Sequence, residues 1–446
     1  MMDKTKPVAA TGKLSPQPWI EFPETKAVIA ALTRDGASVR FVGGCVRDAL
    51  AHRPVKDIDI ATHDAPDKVI ALLEAAGIRA IPTGIEHGTV TAVVGRRHFE
   101  ITTLRIDVET DGRRARVAFT DDWAADAARR DFTINAMSAA PNGDVYDPFN
   151  GIPDLAHGWI RFVGRAEDRI REDALRLLRF FRFFAAYGRP PADPEALDAC
   201  RKLAPLVDTL SGERVRSELF RILLSPDPAT VVSLMRGLGV LKHVLPEANE
   251  TGTSETGAAG DGKGADGIGR LRAVAWLTTR AVRVDSFAPD ALRRLAALAN
   301  TDRAGALKIA ERLRLSNAER DHLVLLSDPP VAIKPEMGGR ARRRAFHQLG
   351  AEMFRSLAIV AWGDEIAHAS FEPHGRNQAW LDLLKAADDW RPVEFPLRGR
   401  DAVAMGIPAG EKMGSLLGEV EAWWMETDFQ AGREECLAKL RELAAT

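Results

Sequence analysis

Taken by its apolar positions alone, the chain mixes strand and helix periods in its first third and is almost wholly helical afterwards. Pro23 to Asp35 has helical spacing and stops near Gly36. Ser38 to Val42 alternates towards an apolar strand, Gly43-Gly44 breaks it, and Cys45 to Leu50 reads as the first turns of a helix. Lys56 to Ile60 alternates again, placing Asp57 and Asp59 on one face and Ile58 and Ile60 on the other. Pro66 to Ala76 predicts a short helix with Gly77 as its stop. Thr89–Val94 and Phe99–Leu104 predict two strands joined at Gly95-Arg96-Arg97. Arg105 to Asp122 is polar, with a turn at Asp111-Gly112, and reads as a long loop, functional or disordered. Ala124 to Arg130 predicts a helix.

Asp147 to Leu155 has the Pro and Gly spacing of a turn that closes a domain, and Asp168 to Tyr187 fits one largely buried helix. Ser211 reads as the N-cap of the next helix, with Glu213 in its first turn. Helical segments continue through 231–236 and 241–247, where His243 reads as a packed or capping residue. Thr251 to Arg270 is rich in Gly, Thr, Ala and Asp, which is linker composition. Helices are expected near 271–281, 288–299, 303–314, 317–326, 340–348, 351–366, 376–388 and 415–425, and no internal repeat stands out. The predicted class is α+β. Residues 1–18 are expected to be mobile, 19–155 to form a mixed sheet-and-helix unit, 156–248 a helical one, 249–270 a linker, and 271–446 further helices.

A chain of 446 residues with 46% apolar and 28% charged residues suits two to four domains of an ordinary globular protein. Its net charge of −2 argues against a uniformly basic nucleic-acid binder but leaves room for local clusters of arginine. Three widely spaced cysteines suggest neither a disulfide framework nor a cysteine zinc site. The first residues lack the apolar segment of a signal peptide, and no apolar run is long enough to span a membrane. A reduced cytoplasmic enzyme is the expectation.

The chemistry concentrates in SVRFVGGCVRDALAHRPVKDIDIAT, residues 38–62. A glycine pair between strand and helix lets a ligand approach backbone amides at a positive dipole end, which suits phosphate. Arg47 in that first turn adds a charged fork. Asp57 and Asp59, about 7 Å apart along a strand, can converge on hard cations such as Mg²⁺, which prefers a few carboxylates plus substrate phosphates. Each piece alone is common, as a tight turn or as solvated acids. In this order they describe metal-assisted nucleotidyl transfer. Glu100 could be a third carboxylate, or a solvated or salt-bridged one. Arg129-Arg130 could equally pair with nearby acids. Asp173, Arg176, Arg179 and Arg182 recur every third residue and wind round their helix between Phe180, Phe181, Phe183 and Phe184. A row of salt-bridged arginines is the alternative. Arg340, Arg342, Arg343 and Arg344 form a basic patch, either an RNA-backbone contact or a solvated helix face.

GGCVRDAL followed by DIDIAT resembles the signature of the polymerase-β-like nucleotidyltransferases, and of their class II branch of tRNA CCA-adding enzymes and bacterial poly(A) polymerases. RRDFTINAM, DPFNGIPDL, EDALRLLRFFRF and GERVRSEL resemble motifs of the same branch. PLRGRD, GIP and MGSLLG are similar to its tail region, where the tRNA elbow is engaged. The match runs over about 38–220, and 250–390 departs from it. The resemblance implies a nucleotidyltransferase head with a mixed β-sheet, followed by an all-α neck, body and tail.

It further implies catalytic Asp57 and Asp59 holding Mg²⁺, and a nucleotide bound by Gly43, Gly44, Arg47, Arg130, Asp173, Arg176, Arg179 and Arg182. It assigns Arg130 to the nucleotide and a loop at 105–122 to the switch towards ATP. GERVRSEL reads as holding the neck, and DPFNGIPDL as a joint between head and neck. Cytosine and adenine both present an amino donor beside a ring-nitrogen acceptor. Asp173 can accept from the first while Arg176 donates to the second, and uracil or guanine would leave both contacts unmade. The expected function is template-independent completion of the tRNA 3′-terminal CCA from CTP and ATP, with no membrane and no protein partner. Poly(A) polymerase is the runner-up, a CC-adding enzyme a lesser rival, and an inactive RNA-binding scaffold the alternative from another class.

Overall fold

The glycine pair sits where the alternation places it, at the end of a strand that starts the main sheet's centre. In a computed structural model, which describes residues 9–111, 114–249, 266–281, 288–368 and 375–445, the chain forms two units, 1–249 and 250–446.

The first unit begins with β1 (Gly12–Lys13), α1 (Pro18–Glu21), α2 (Pro23–Thr33), β2 (Val39–Val42), α3 (Gly44–Leu50), β3 (Ile58–Thr62) and α4 (Pro66–Ala75). It continues with β4 (Arg79–Gly84), β5 (Thr89–Val94), β6 (Arg97–Thr103), β7 (Arg105–Asp111), β8 (Arg114–Phe119), α5 (Trp123–Ala128), β9 (Ser138–Ala139) and β10 (Asp144–Tyr146). Eight of these strands make one sheet in the order β1-β10-β9-β2-β3-β6-β5-β4. Every pairing is antiparallel except that of β3 with β6, so the sheet is mixed. Its buried face is apolar: Phe41, Ile60 and Phe99, all at 0% exposure, meet Val28 and Leu32 of α2 and Val46 of α3 in one core. Each such side chain contributes roughly 2 kcal/mol.

Three expectations need correction here. Residues 12–13 are not a loose end, because β1 pairs with β10; residues 1–8 of the segment expected to be mobile lie outside the described residues. The polar stretch expected as a loop over 105–122 holds the antiparallel ribbon β7–β8, which among the described residues pairs with no other strand. DPFNGIPDL does more than turn. Asp147 accepts from the amides of Gly151 at 2.7 Å and Ile152 at 2.8 Å, which caps α6 (Gly151–His157).

The helices that follow are α7 (Ala166–Glu172), α8 (Leu175–Tyr187), α9 (Pro194–Leu203), α10 (Gly212–Leu223), α11 (Pro228–Gly237) and α12 (Leu241–Val244). The expected single helix 168–187 is therefore two. Asp173 stands in the break with extended backbone (φ −151°, ψ 107°). Its carboxylate takes the Leu175 amide at 3.1 Å, so a local hydrogen bond competes with helix continuation at that residue. The apolar face of α8 is fully used: Phe180, Phe181, Phe183 and Phe184 are all buried. Phe132 packs between Phe162 at 4.7 Å, tilted, and Phe183 at 5.2 Å, edge-on, joining the RDFTIN segment to that helix. Ser211 precedes α10 but makes no side-chain cap.

The second unit is helical: α13 (Gly267–Trp276), α14 (Ala291–Ala299), α15 (Arg303–Arg312), α16 (Asn317–Ser327), α17 (Gly339–His368), α18 (Arg376–Asp389), α19 (Gly399–Ala404), α20 (Glu411–Glu426) and α21 (Arg433–Ala444). A wider π turn, 277–281, extends α13. The linker expected over 249–270 is cut short by α13, and its residues 250–265 lie outside the described ones. Gly350 (φ 74°, ψ 155°) breaks α17 where two helices were expected. α19 and α21 went unforeseen. Of the basic patch, Arg343 forms a two-pronged pair with Asp428 and Arg344 lies 3.6 Å from Glu426, so half of it is neutralised within the fold.

Candidate active site

A cavity of about 640 Å³ opens in the first unit, lined from the glycine pair and Asp59 to α8 and α10. That volume suits a mid-sized organic ligand. Nine arginines and four carboxylates line it, an excess that suits a polyphosphate.

One end of the cavity is built around Gly43. Its φ of +68° is the left-handed region, and a Cβ there would stand 3.0 Å from Nη1 of Arg130. Glycine is needed for the turn, and its missing Cβ leaves room for the guanidinium laid against it. Arg47 donates to Asp48 at 2.9 Å and to Asn135 at 2.7 Å. Arg130 donates to Asp126 at 3.3 Å, and Arg129 donates to the same carboxylate at 3.0 Å. Burial pushes Asp126 up, but these two guanidiniums bring its pKa below the usual carboxylate value.

The acidic edge comes from β3 and β6. Parallel register sets Asp59 beside Glu100, and Thr102 follows on the same face of β6. Asp57 is exposed, just before β3 begins, and does not line the cavity. Burial, then the like charge of Glu100, raise Asp59 to about 6; Arg130 and Arg47 oppose this and Asp57 adds to it. A buried carboxylate with a like charge set beside it in register is a donor set short of positive charge, which fits a hard cation. Among the described residues no three ligating side chains close on one point. A metal here would therefore complete its shell with water and substrate phosphates.

The far end holds the arginine row, and each member has its own acid. Arg176 meets Glu172 at 2.5 Å, Arg179 donates to Asp131 at 2.7 Å, and Arg182 lies 2.6 Å from Glu218. The Arg182–Glu218 contact is an ion pair without hydrogen-bond alignment. Burial lowers Arg182 to about 10, Glu218 only partly opposing it. Asp131, 8% exposed, also takes the Phe132 amide at 2.9 Å and the Asn135 side chain at 3.0 Å. Burial pushes Asp131 up, yet Arg179 and these donors hold its pKa below the usual value. Asp173 receives Nη2 of Arg214 at 3.0 and 2.9 Å on its two oxygens.

Nine of the ten residues expected at the site on sequence grounds stand where they can be weighed together. Gly43, Gly44, Arg47, Asp59, Arg130, Asp173, Arg176, Arg179 and Arg182 line the cavity; Asp57 stands off its rim. Sequence reasoning missed the acids Asp131, Glu172 and Glu218, the amide of Asn135, and Arg129, Arg214 and Arg221. It also missed Arg169, which donates to the carbonyl of Arg130 at 2.9 Å and to that of Arg129. GERVRSEL was given to the neck, yet its Arg214 reaches into the cavity.

The chain resembles known proteins along most of its length. Residues 39–161 match the family described as "Poly A polymerase head domain", and 192–251 the one described as "Probable RNA and SrmB- binding site of polymerase A". The mitochondrial CCA tRNA nucleotidyltransferase 1 of Mus musculus is 32% identical over 430 residues, 94% of this chain and 89% of the relative. The CCA-adding enzyme of Streptococcus sanguinis is 41% identical over 208 residues, 46% of this chain and 51% of the relative. The solved Bacillus stearothermophilus CCA-adding enzyme in complex with CTP superposes with a TM-score of 0.73 at 26% identity, covering 96% of this chain and 98% of that one. By its motifs, its cavity and this full-length likeness, the chain belongs to the CCA tRNA nucleotidyltransferase family.

Proposed function

We propose that this chain adds or repairs the 3′-terminal CCA of tRNA from CTP and ATP, releasing pyrophosphate and using no nucleic-acid template. One observation carries the reading: a single cavity joins a phosphate-binding strand–helix turn, a half-buried aspartate and an Asp-x-x-Arg pair. The backbone amides at Gly44, with Arg47 and Arg130, hold the triphosphate. Asp57 and Asp59 would hold Mg²⁺, with Glu100 as a third candidate. Bound there, the metal would lower the charge barrier between the attacking RNA 3′-hydroxyl and the phosphate, and steady the leaving pyrophosphate.

Base choice falls to Asp173 and Arg176. Arg214 and the Leu175 amide fix the carboxylate, which has about four acceptor positions and so keeps room for an amino donor. Glu172 and the carbonyls of Arg169 and Arg129 steady the Arg176 guanidinium, which keeps its Nε–H and one Nη2–H for a ring nitrogen. Arg179 and Arg182 line the cavity beyond. The 105–119 ribbon, at the cavity through Arg105, is the part we assign to accepting ATP after CTP.

The test is single-turnover extension of a tRNA transcript that ends before CCA, with Mg²⁺ and CTP, ATP, or both. Two C with CTP alone, then a single A once ATP is added, is the expected result. The description of the head family favours one rival, poly(A) synthesis, and long A tails on any RNA end would establish it instead. A stop after two C in the presence of both nucleotides would make it a CC-adding enzyme. Placement in the cytoplasm is part of the proposal; no helix among the described residues is long and apolar enough to cross a membrane. Named relatives include mitochondrial enzymes, so fractionation of cells expressing a tagged chain decides the compartment.

A further inference from the structure

Apart from the nucleotide cavity, the first unit has a second basic hollow. It measures about 310 Å³ and is lined by Leu50, His52, Arg53, Ile152, Tyr187 and Arg189 with their neighbours. His52 has a left-handed backbone (φ 54°), which turns the chain as it leaves α3. Arg53 donates to the Ala186 carbonyl, and its guanidinium lies 4.2 Å from the centre of the Tyr187 ring. Arg189 donates to the Ala156 carbonyl at 3.5 Å.

Among the described residues, neither guanidinium has a carboxylate at ion-pair distance. In the nucleotide cavity, by contrast, Arg47, Arg130, Arg176, Arg179, Arg182 and Arg214 each do. Two exposed arginines that share a hollow without an internal counter-charge repel one another and are set for an external anion. An exposed aromatic residue follows in the chain just past the hollow, with the Arg161 guanidinium 5.5 Å from its ring centre. A Cβ on Gly158 would meet Cγ of Arg189 at 2.6 Å, so the Arg189 stem lies over Gly158. The next residue, Trp159, is 39% exposed and stacks on His157 at 4.9 Å and 22°.

We propose that this surface docks RNA, with backbone phosphate at Arg53 and Arg189 and a base or ribose against Trp159. Guanidinium forks beside an exposed aromatic ring are the pairing that RNA binding uses, charge for the backbone and stacking for the base. An acidic peptide would satisfy the charges but leave the ring unused. Tyr187 forms the wall towards the nucleotide cavity. Its ring is 4.5 Å from the Arg47 guanidinium, and its hydroxyl donates to Asp48 at 2.6 Å. RNA held here lies one side chain from the triphosphate seat and fixes the strand whose end reacts. The inference rests on the reading of the chain as a tRNA-extending enzyme.

Fluorescence anisotropy of a labelled tRNA transcript lacking CCA, over a range of salt, tests it in the full-length protein. Arg53→Gln with Arg189→Gln should weaken tRNA binding roughly tenfold. It should also make the salt slope shallower by about one to two, while the KM for CTP holds. The lysine pair, Arg53→Lys with Arg189→Lys, should recover most of the loss. Trp159→Ala should weaken binding with the slope unchanged, because stacking releases no counterions. Wild-type affinity and slope in the glutamine pair would overturn the proposal. So would a lysine pair as weak as the glutamine pair, which would mean the arginines only pack Tyr187. A raised KM for CTP at unchanged tRNA affinity would give the hollow to nucleotide and overturn it as well. A wild-type protein that binds no tRNA would instead sink the substrate reading on which it rests.

Discussion

At the scale of single residues the site is held by opposing charges, and Asp59 is where they conflict most. Its pKa of about 6, set by burial and then by Glu100, lies above the ordinary 3.8. A raised carboxylate pKa means that the folded chain holds the proton more tightly than the unfolded one. Ionised Asp59 therefore costs stability; the cost is absent below about pH 4, grows as pH rises to about 6, and is constant above. Asp59→Asn, assayed without divalent cations, should raise stability at pH 7.5 by about 1 kcal/mol, a few degrees in Tm. At pH 4 the difference should vanish. The same variant should lose nucleotidyl transfer, and Mg²⁺ should raise the Tm of the wild type but not of the variant. Thermal melts at the two pH values check this, and a variant that melts lower at pH 7.5 contradicts the account. Asp59 was legible in the sequence because the alternation from Lys56 to Ile60 places it. Asp131, Glu172 and Glu218 were not. Asp131 meets Arg179 from 48 positions away, Glu218 meets Arg182 only once α8 and α10 have packed, and Glu172 meets Arg176 across the break between α7 and α8.

At the scale of elements, two places decide whether the site assembles. The first is the break between α7 and α8. The run from 168 to 187 has the apolar spacing of one helix, and its local stop signal is a single residue, Asp173, whose carboxylate takes the Leu175 amide. The stop comes from Arg214, 41 positions on, which holds Asp173 out of helical geometry together with the Leu175 amide. Arg214→Gln should leave tRNA affinity unchanged and reduce discrimination of CTP over UTP by roughly tenfold, because a mobile carboxylate rejects the wrong base less well. Competition assays with the two nucleotides measure this; unchanged selectivity would mean that Asp173 is positioned without Arg214. The second place is the start of α6. A Cβ on Gly151 would stand 2.3 Å from the Thr133 carbonyl oxygen, so α6 lies directly under the RDFTIN segment. Gly151→Ala must move backbone, and should cost about 2–4 kcal/mol with a matching fall in Tm. The same contrast explains the ribbon β7–β8. A two-stranded ribbon that pairs with no third strand need not bury a whole face, so its sequence lacks the period that marked β2, β3 and β5.

At the scale of the whole molecule, four structured or linking regions were expected after the N-terminus, and the contacts resolve into two units that meet in sequence at 249–250. The difference lies in the first 249 residues. The predicted head and the first helices after it share Phe132, Phe162, Phe180 and Phe183, an aromatic cluster that packs the two against each other. The nucleotide cavity follows the same division, since its lining runs only from Val42 to Arg221. A chain cut after Asn249 should therefore fold, melt cooperatively and bind CTP with an affinity within about threefold of the intact protein, because no lining residue is removed. If the second unit supplies most of the RNA contacts, as its tail motifs suggest, the same fragment should bind tRNA at least tenfold more weakly. Calorimetry with CTP and anisotropy with tRNA separate the two effects. A fragment that melts cooperatively but no longer binds CTP would show that the second unit shapes the nucleotide cavity. A fragment that keeps full tRNA affinity would place the RNA contacts on the first unit, beside the Arg53–Arg189 hollow.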